Sequence, residues 1–295
     1  MIEVSYIGDI SVDYPAVDTP FEVKCIKFPD NTQKIDLDGE FLLPHNNFLI
    51  TWKQYESDEE LVRLIFITKH LKDRLNAKVL LYMPYIPNAR MDRVKSDTEV
   101  FTLKYFCEVI NSLGFEKVFV LDPHSNVSAA LLNHVAVMSP ENYINMAIND
   151  IEEYPTIYFP DEGAYKRYGG MDCFIGMDVL IGHKVRNWET GKIEGLNITD
   201  RDGMSYGEGH FRGESVLMID DIISYGGTMA YSADELKRLG FDYIYAYATH
   251  TEGSVNDPEK GTFRQRLESG VIDKLYTTDS LCPFASTNKV TIFNS

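Results

Sequence analysis

What most limits the fold of this chain is an alternation of short, mainly apolar runs with longer stretches of helical periodicity. NFLITW (47–52), KVLLYMP (78–84) and KVFVLD (117–122) read as strands. Between them, SDEELVRLIFITKHLKDRLN (57–76) and TEVFTLKYFCEVINSLG (98–114) read as helices. Ser57 and Glu60 have capping-box spacing in the first helix, and Gly114 stops the second. The second half repeats the habit with strands TIYFPD (156–161), DVLIGHK (178–184) and VLMIDD (216–221), then helix TMAYSADELKRLG (228–240). Strand YIYAYATH (243–250), helix KGTFRQRLESG (260–270) and strand DKLYTT (273–278) follow. Continuously apolar strands joined through helices imply a parallel sheet covered on both faces. Two such series predict an α/β chain of two similar domains, 1–140 and 141–295, each a mainly parallel sheet with helices on both faces.

Composition sets the limits on function. At 295 residues and 44% hydrophobic, the chain can build two cores. Its net charge of −17 argues against nucleic acid as a partner, because such binding needs a basic face. A small phosphorylated ligand stays compatible if its site gathers local cations. No apolar window is long enough to span a membrane, so no membrane partner is expected. MIEVSYIGDI lacks a basic region and a cleavage site, which predicts no secretory signal and a cytoplasmic location. Cys25, Cys107, Cys173 and Cys282 are far apart, as expected of reduced, mostly buried thiols, and the sequons at Asn126 and Asn197 are then chance matches. The polar, Gly-rich stretch 187–215 is long for a connection, and is expected to be a functional lid or disordered.

One segment carries chemistry. VLMIDDIISYGGT (216–228) passes from a buried strand through two adjacent acids into a Gly-Gly-Thr turn ahead of a helical pattern. Ligands of open α/β sheets sit at the carboxyl ends of strands. A loop entering a helix offers N–H groups to a phosphate, and glycine permits close approach. This assigns Ser224, Tyr225, Gly226, Gly227 and Thr228 to a phosphate. Adjacent carboxylates repel phosphate but accept hydrogen bonds from hydroxyls, so Asp220 and Asp221 ask for vicinal hydroxyls on the same ligand. Ribose 5-phosphate has both. The spacing is neither GxxxxGK[ST] nor GxGxxG. On these residues alone a plainer reading stays open, in which the acids cap a turn and the glycines only join strand to helix.

VLMIDDIISYGGT resembles the phosphoribosyl-pyrophosphate-binding motif of the type I phosphoribosyltransferase fold, which several activities share. YMPYIPNARMDR (82–93) narrows the choice by placing Arg90, Asp92 and Arg93 on a loop after a strand. Arginines there can clamp a polyphosphate, or simply form a solvated ion-pair cluster. With VFTLKYFCEVINSLGFEKVFVLDPHS (100–125), this loop is similar to the ribose-phosphate diphosphokinases, or phosphoribosyl-pyrophosphate synthetases. That family has Tyr-Ala-Arg-Gln-Asp-Arg and an Asp-Leu-His turn in the same succession. The similarity covers most of the chain.

The resemblance implies roles residue by residue. Arg90, Asp92 and Arg93 match the family's ATP-binding loop, with Met91 in place of its usual Gln. Phe28 and Asp30 match a segment that reaches a neighbouring subunit's adenine, with Asn31 and Thr32 replacing Gly-Glu. His124 in LDPHS and Asp161 in FPDEGA match the family's Mg²⁺ ligands, and the oxygen donor suits that ion better. Taken alone, His124 is also a polar side chain beside an Asp-Pro turn. Lys184 and Arg186 in GHKVRN match the Lys-x-Arg that closes over the reacting phosphates. Without the family they would read as surface cations.

The implied reaction transfers the β,γ-diphosphoryl group of ATP to the 1-hydroxyl of ribose 5-phosphate, giving phosphoribosyl pyrophosphate and AMP. Implied partners are ATP, ribose 5-phosphate and further copies of the chain, in a homo-oligomer with active sites near subunit interfaces. A phosphoribosyltransferase is one alternative, though it would not need the 90–93 loop. A non-catalytic regulatory relative is another. It suits the long segment after Arg186 and the lack of a final helix after KVTIFNS, but not the presence of Lys184, Arg186, Asp220 and Asp221. Ser224 stands where the family usually has Asp, which removes one negative charge from the phosphate loop.

Overall fold

A computed structural model describes residues 1–7, 20–21, 23–37, 46–186 and 193–295, without the side chains of residues 185, 186, 193 and 194. The chain divides into two compact units, Met1–Met138 and Ser139–Ser295.

The first unit begins with β1 (Ile2–Tyr6) and a separate hairpin of β2 (Val23–Lys27) and β3 (Gln33–Leu37). Then come β4 (Asn47–Trp52), α1 (Asp58–Leu75), β5 (Lys78–Tyr82), α2 (Thr102–Ser112), β6 (Val118–Leu121), α3 (Asn126–Leu131) and β7 (Val135–Met138). The sheet order is β1-β4-β5-β6-β7, parallel throughout except for β1 against β4. The crossovers all step the same way, so α1 and α2 pack on one face. Leu64, Ile67 and Leu71 of α1 and Leu103, Cys107 and Ile110 of α2 meet Phe48, Ile50, Val79 and Leu81 there. Leu49, Leu80, Tyr82 and Phe119 form the smaller cluster on the opposite face.

Two helix starts differ from the sequence expectation. Ser57 is the N-cap of α1, yet its hydroxyl caps nothing. The Glu60 carboxylate instead accepts from the buried Trp52 indole (3.1 Å) and the Glu56 N–H (3.3 Å), so the capping box is not formed. Three acids in the first turn and Lys72 and Arg74 in the last still suit the helix dipole. α2 begins at Thr102 rather than 98, because Glu99 is held in a turn by its N–H to the Ser96 carbonyl (3.1 Å).

The second unit contains α4 (Glu141–Asp150), β8 (Thr156–Phe159), α5 (Glu162–Tyr168), β9 (Val179–Arg186), β10 (Ile193–Asp200), β11 (Ser215–Ile223) and α6 (Gly227–Leu239). It finishes with β12 (Tyr243–Thr251), α7 (Thr262–Ser269), β13 (Lys274–Thr278) and β14 (Val290–Phe293). The order is β10-β9-β8-β11-β12-β13-β14, with only β10 antiparallel. Both faces are covered. Val216 and Met218 of β11 face Met229 and Leu236 of α6, whereas Leu217 and Ile219 face Ile144 and Ile148 of α4 and Tyr168 of α5.

The stretch expected to be a lid or disorder is in part regular. Residues 193–200 form β10, paired along β9 with Leu196 opposite Lys184. The turn-rich chain after it is tied down by Tyr206, whose hydroxyl donates to Asp200 (2.7 Å), and by Phe211 stacked on Phe241 (4.4 Å between rings). Residues 187–192 lie outside the described residues. On the other flank, β8 and β9 approach closely. The buried Tyr158 hydroxyl lies 3.0 Å from Ser232 Oγ on α6, and a Cβ at Gly182 would come within 2.4 Å of that hydroxyl and 2.8 Å of the Pro160 carbonyl. Only glycine fits at 182.

Candidate active site

In the second sheet, β8 leads through α5 to β9 on one side, while β11 leads through α6 to β12 on the other. The winding therefore reverses between β8 and β11, the arrangement that opens a ligand crevice at the strands' carboxyl ends. Asp161 leaves β8 there, Asp220 and Asp221 leave β11, and Lys184 comes from β9. Sequence-distant candidates are brought together by this one topological feature.

Asp161 is the N-cap of α5 and accepts from the Ala164 N–H at 3.1 Å. Its other oxygen receives the Lys184 ammonium at 2.9 Å. Burial opposes its charge, but the Lys184 hydrogen bond and the Ala164 and Gly163 N–H groups prevail and hold the carboxyl below its ordinary value. Arg186 ends β9, and its side chain lies outside the described residues.

Asp220 and Asp221 are unlike each other. Asp221 is buried and has the Arg167 guanidinium of α5 at 3.4 Å. Asp220 accepts the Asp221 N–H at 2.9 Å, and its carboxyl is pushed well up, first by burial, then by the Asp221 charge, with Asp161 adding to it. A raised carboxyl means that the folded state holds a proton the unfolded chain has released, so stability falls as pH rises through this range. Asp220→Asn removes that cost. Its melting temperature at pH 8 should rise by about 3 °C, with the gain shrinking as pH falls toward the ordinary carboxylate range, while binding of the ribose 5-phosphate that the sequence leads us to expect should be lost. Thermal melts across pH, with and without the sugar phosphate, check both halves.

The loop 224–228 divides its glycines between two tasks. Gly226, at φ +79°, has Phe263 so close that a Cβ would meet the Phe263 Cβ at 2.1 Å. This glycine is required by packing, as the plainer sequence reading allows. Gly227 is different. An added Cβ there would meet only Thr262 Oγ1, at 3.9 Å, so no protein group demands glycine. Gly227 is also the first residue of α6, whose N-cap, Gly226, supplies no side-chain hydrogen bond. The leading N–H groups of a thirteen-residue helix are thus left for an anion.

In the first unit, Arg90, Asp92 and Arg93 follow β5, with Arg93 Nε 4.0 Å from Asp92 Oδ1 and both arginines exposed. His124 sits in the turn after β6, beside the buried Asp122. Asn88 (φ +65°) and Asp122 (φ +44°) both adopt left-handed backbone just past strand carboxyl ends, a conformation that collects at functional loops. Phe28 and Asp30 occupy the tip of the β2–β3 hairpin. Phe28 is 49% exposed, and hydrogen bonds from the Thr32 side chain and backbone hold the Asp30 carboxyl below its ordinary value.

Among the described residues, no three His, Cys, Asp or Glu side chains gather as a metal site. Asp161 alone offers a carboxylate of the oxygen-donor kind that a hard cation prefers, already shared with Lys184. Sequence reading missed Arg167, because the short helix EGAYKRY (162–168) carries little periodicity and its partner lies far along the chain.

Comparison with models of protein families finds none that matches. Among curated proteins, the ribose-phosphate pyrophosphokinase of Thermococcus kodakarensis is 28% identical over 240 residues, 79% of this chain and 80% of its own. That of Sulfolobus acidocaldarius is 27% identical over 266 residues, 90% and 86% of the two chains. Among solved structures, phosphoribosylpyrophosphate synthetase from Mycobacterium smegmatis covers 93% of this chain and 86% of its own at 18% identity, with a TM-score of 0.70, a likeness of fold. Pyrophosphokinase and diphosphokinase are two words for one activity. Similarity over most of its length, together with a shared two-domain, phosphoribosyltransferase-like fold, makes this chain a relative of the ribose-phosphate pyrophosphokinases.

Proposed function

We propose that the chain is an active ribose-phosphate diphosphokinase. The observation that carries this reading is the convergence of the Asp161–Lys184 pair, the Asp220–Asp221 pair and the uncapped start of α6 at one switch point. Asp220 and Asp221 hold the ribose hydroxyls. The N–H groups of 226–228, with Ser224 and Tyr225, hold the 5-phosphate. The sugar's 1-hydroxyl then attacks the β-phosphorus of ATP; an O–P bond forms there, the hydroxyl proton passes to solvent, the bond to the α-phosphate oxygen breaks, and AMP leaves. Lys184, Arg186 and Arg90 offset the charge spread over the transferred group. Arg93 and Asp92, with Phe28 and Asp30 from a neighbouring copy, hold the nucleotide.

Mg²⁺, brought with ATP, supplies further charge neutralisation on the phosphates. In the second unit Asp161, sharing its carboxylate with Lys184, is the residue best suited to hold it, and in the first unit His124 is assigned to a metal on the family resemblance alone. No helix among the described residues is long and apolar enough to cross a membrane. The enzyme is assigned to the cytoplasm, as a homo-oligomer.

The test is a phosphorus NMR time course with ATP, Mg²⁺ and ribose 5-phosphate. AMP and phosphoribosyl pyrophosphate rising together support the reading. Binding of the sugar phosphate without AMP would instead support the non-catalytic relative. The open space at Gly227 gives a finer check. Gly227→Ala should melt within about 1 °C of the parent but bind ribose 5-phosphate about tenfold more weakly, because the methyl group stands where the phosphate approaches. Unchanged affinity would remove the phosphate from this loop.

A further inference from the structure

The segment after β12 leans on the phosphate loop. The Glu252 N–H donates to the Ile223 carbonyl at 2.8 Å, which sets this acid beside the point where β11 gives way to the loop. Ser254, two residues on, brings its hydroxyl 3.2 Å from Glu252 Oε2 and 2.9 Å from Ser224 Oγ. The three side chains form a line from a carboxylate to the loop.

The direction of that line follows from counting hydrogens. A carboxylate only accepts, and a serine hydroxyl has one hydrogen to give. When Ser254 donates to Glu252, the contact to Ser224 requires Ser224 to donate to Ser254. Ser224 then has no hydrogen left for a ligand and can offer only lone pairs. A phosphate dianion wants donors, and it also meets the Glu252 charge two hydrogen bonds away. To gain the Ser224 hydrogen, the ligand must break the Ser224–Ser254 bond, and that contact can re-form in the opposite sense only if Ser254 withdraws its own hydrogen from Glu252.

We propose that Glu252 is a specificity-determining residue that loosens the loop's grip on the 5-phosphate, acting through Ser254 and Ser224. The inference rests on the assignment of ribose 5-phosphate to this loop. Substrate and product carry the same 5-phosphate. Weakening that shared contact speeds departure without touching interactions made only in the transition state.

Calorimetric titration of the full chain with ribose 5-phosphate, inorganic phosphate and unphosphorylated ribose tests it. In Glu252→Gln the amide can donate to Ser254, which turns to Ser224 and frees its hydrogen for the ligand. Ribose 5-phosphate should bind about tenfold more tightly and inorganic phosphate should follow, while ribose should not. Ser254→Ala, which keeps the charge but cuts the line, should show about a threefold gain. Damage to the loop would weaken binding, so the sign separates a tuned contact from a structural one. Equal or weaker phosphate binding in Glu252→Gln overturns the inference while leaving the function standing. Absence of phosphate binding in the parent chain sinks the assignment of the loop, and this inference with it.

Discussion

On the proposed activity, replacing Lys184 with alanine should lower the rate of AMP formation about a thousandfold, the scale expected for removing a cation aimed at charge that grows in the transition state. The side chain is placed for that task by two elements. β9, paired between β10 and β8, carries it to the carboxyl end of the sheet, and Asp161 holds its ammonium at 2.9 Å. The fold should tolerate the change, because Asp161 keeps the Ala164 N–H and a partly exposed ion pair adds about 1 kcal/mol or less. Its carboxyl will rise toward the ordinary value once the ammonium is gone. Steady-state kinetics decide the role. A fall in turnover with KM values nearly constant places Lys184 on the transition state, whereas raised KM with turnover intact would reduce it to a binding residue.

Gly226→Ala should destabilise the second unit by about 3–5 kcal/mol, the sum of a left-handed backbone that alanine resists and a collision that the core cannot absorb. The collision is with Phe263, which is fully buried among Met229, Val255 and Leu267. Phe263 is also pinned through its own N–H to the Tyr225 carbonyl (3.2 Å). Neither partner can step aside. A drop in melting temperature of about 10 °C is expected, against almost none for Gly227→Ala. A shift of only a degree or two in Gly226→Ala would mean that the loop relaxes around the new methyl group, and the packing account of this glycine would fail.

The contrast between these neighbours also marks what a sequence can disclose. VLMIDD and its parallel companions were legible because strands buried on both faces lose their polar residues altogether. β2, β3 and β10 were not, since KCIK, QKID and the alternating IEGLNITD look like loop until a partner strand is supplied. Ser57 and Glu60 show the opposite failure: the spacing was right, but the Trp52 indole competed for the acid and won. In the site, Asp220 and Asp221 could be named from the apolar run they end, whereas Asp161 and Lys184 were named only through the family resemblance. Their convergence follows from strand order, which no local pattern encodes. Arg167, Ser254 and Glu252 stayed hidden for a related reason. Each acts on a residue from another element, and nothing nearby in the chain announces the meeting.

The close seating of β9 on β8 restricts how this sequence can drift. Tyr158, Gly182 and Ser232 lie on three different elements yet form one steric and hydrogen-bonded set. A descendant that exchanges Tyr158 for phenylalanine would relieve the nearer obstacle at 182 and strand the Ser232 hydroxyl, inviting alanine there. The Pro160 carbonyl would still press on any new methyl at 182. Substitutions at 158 and 232 should therefore travel together through a lineage, while 182 stays glycine on either branch.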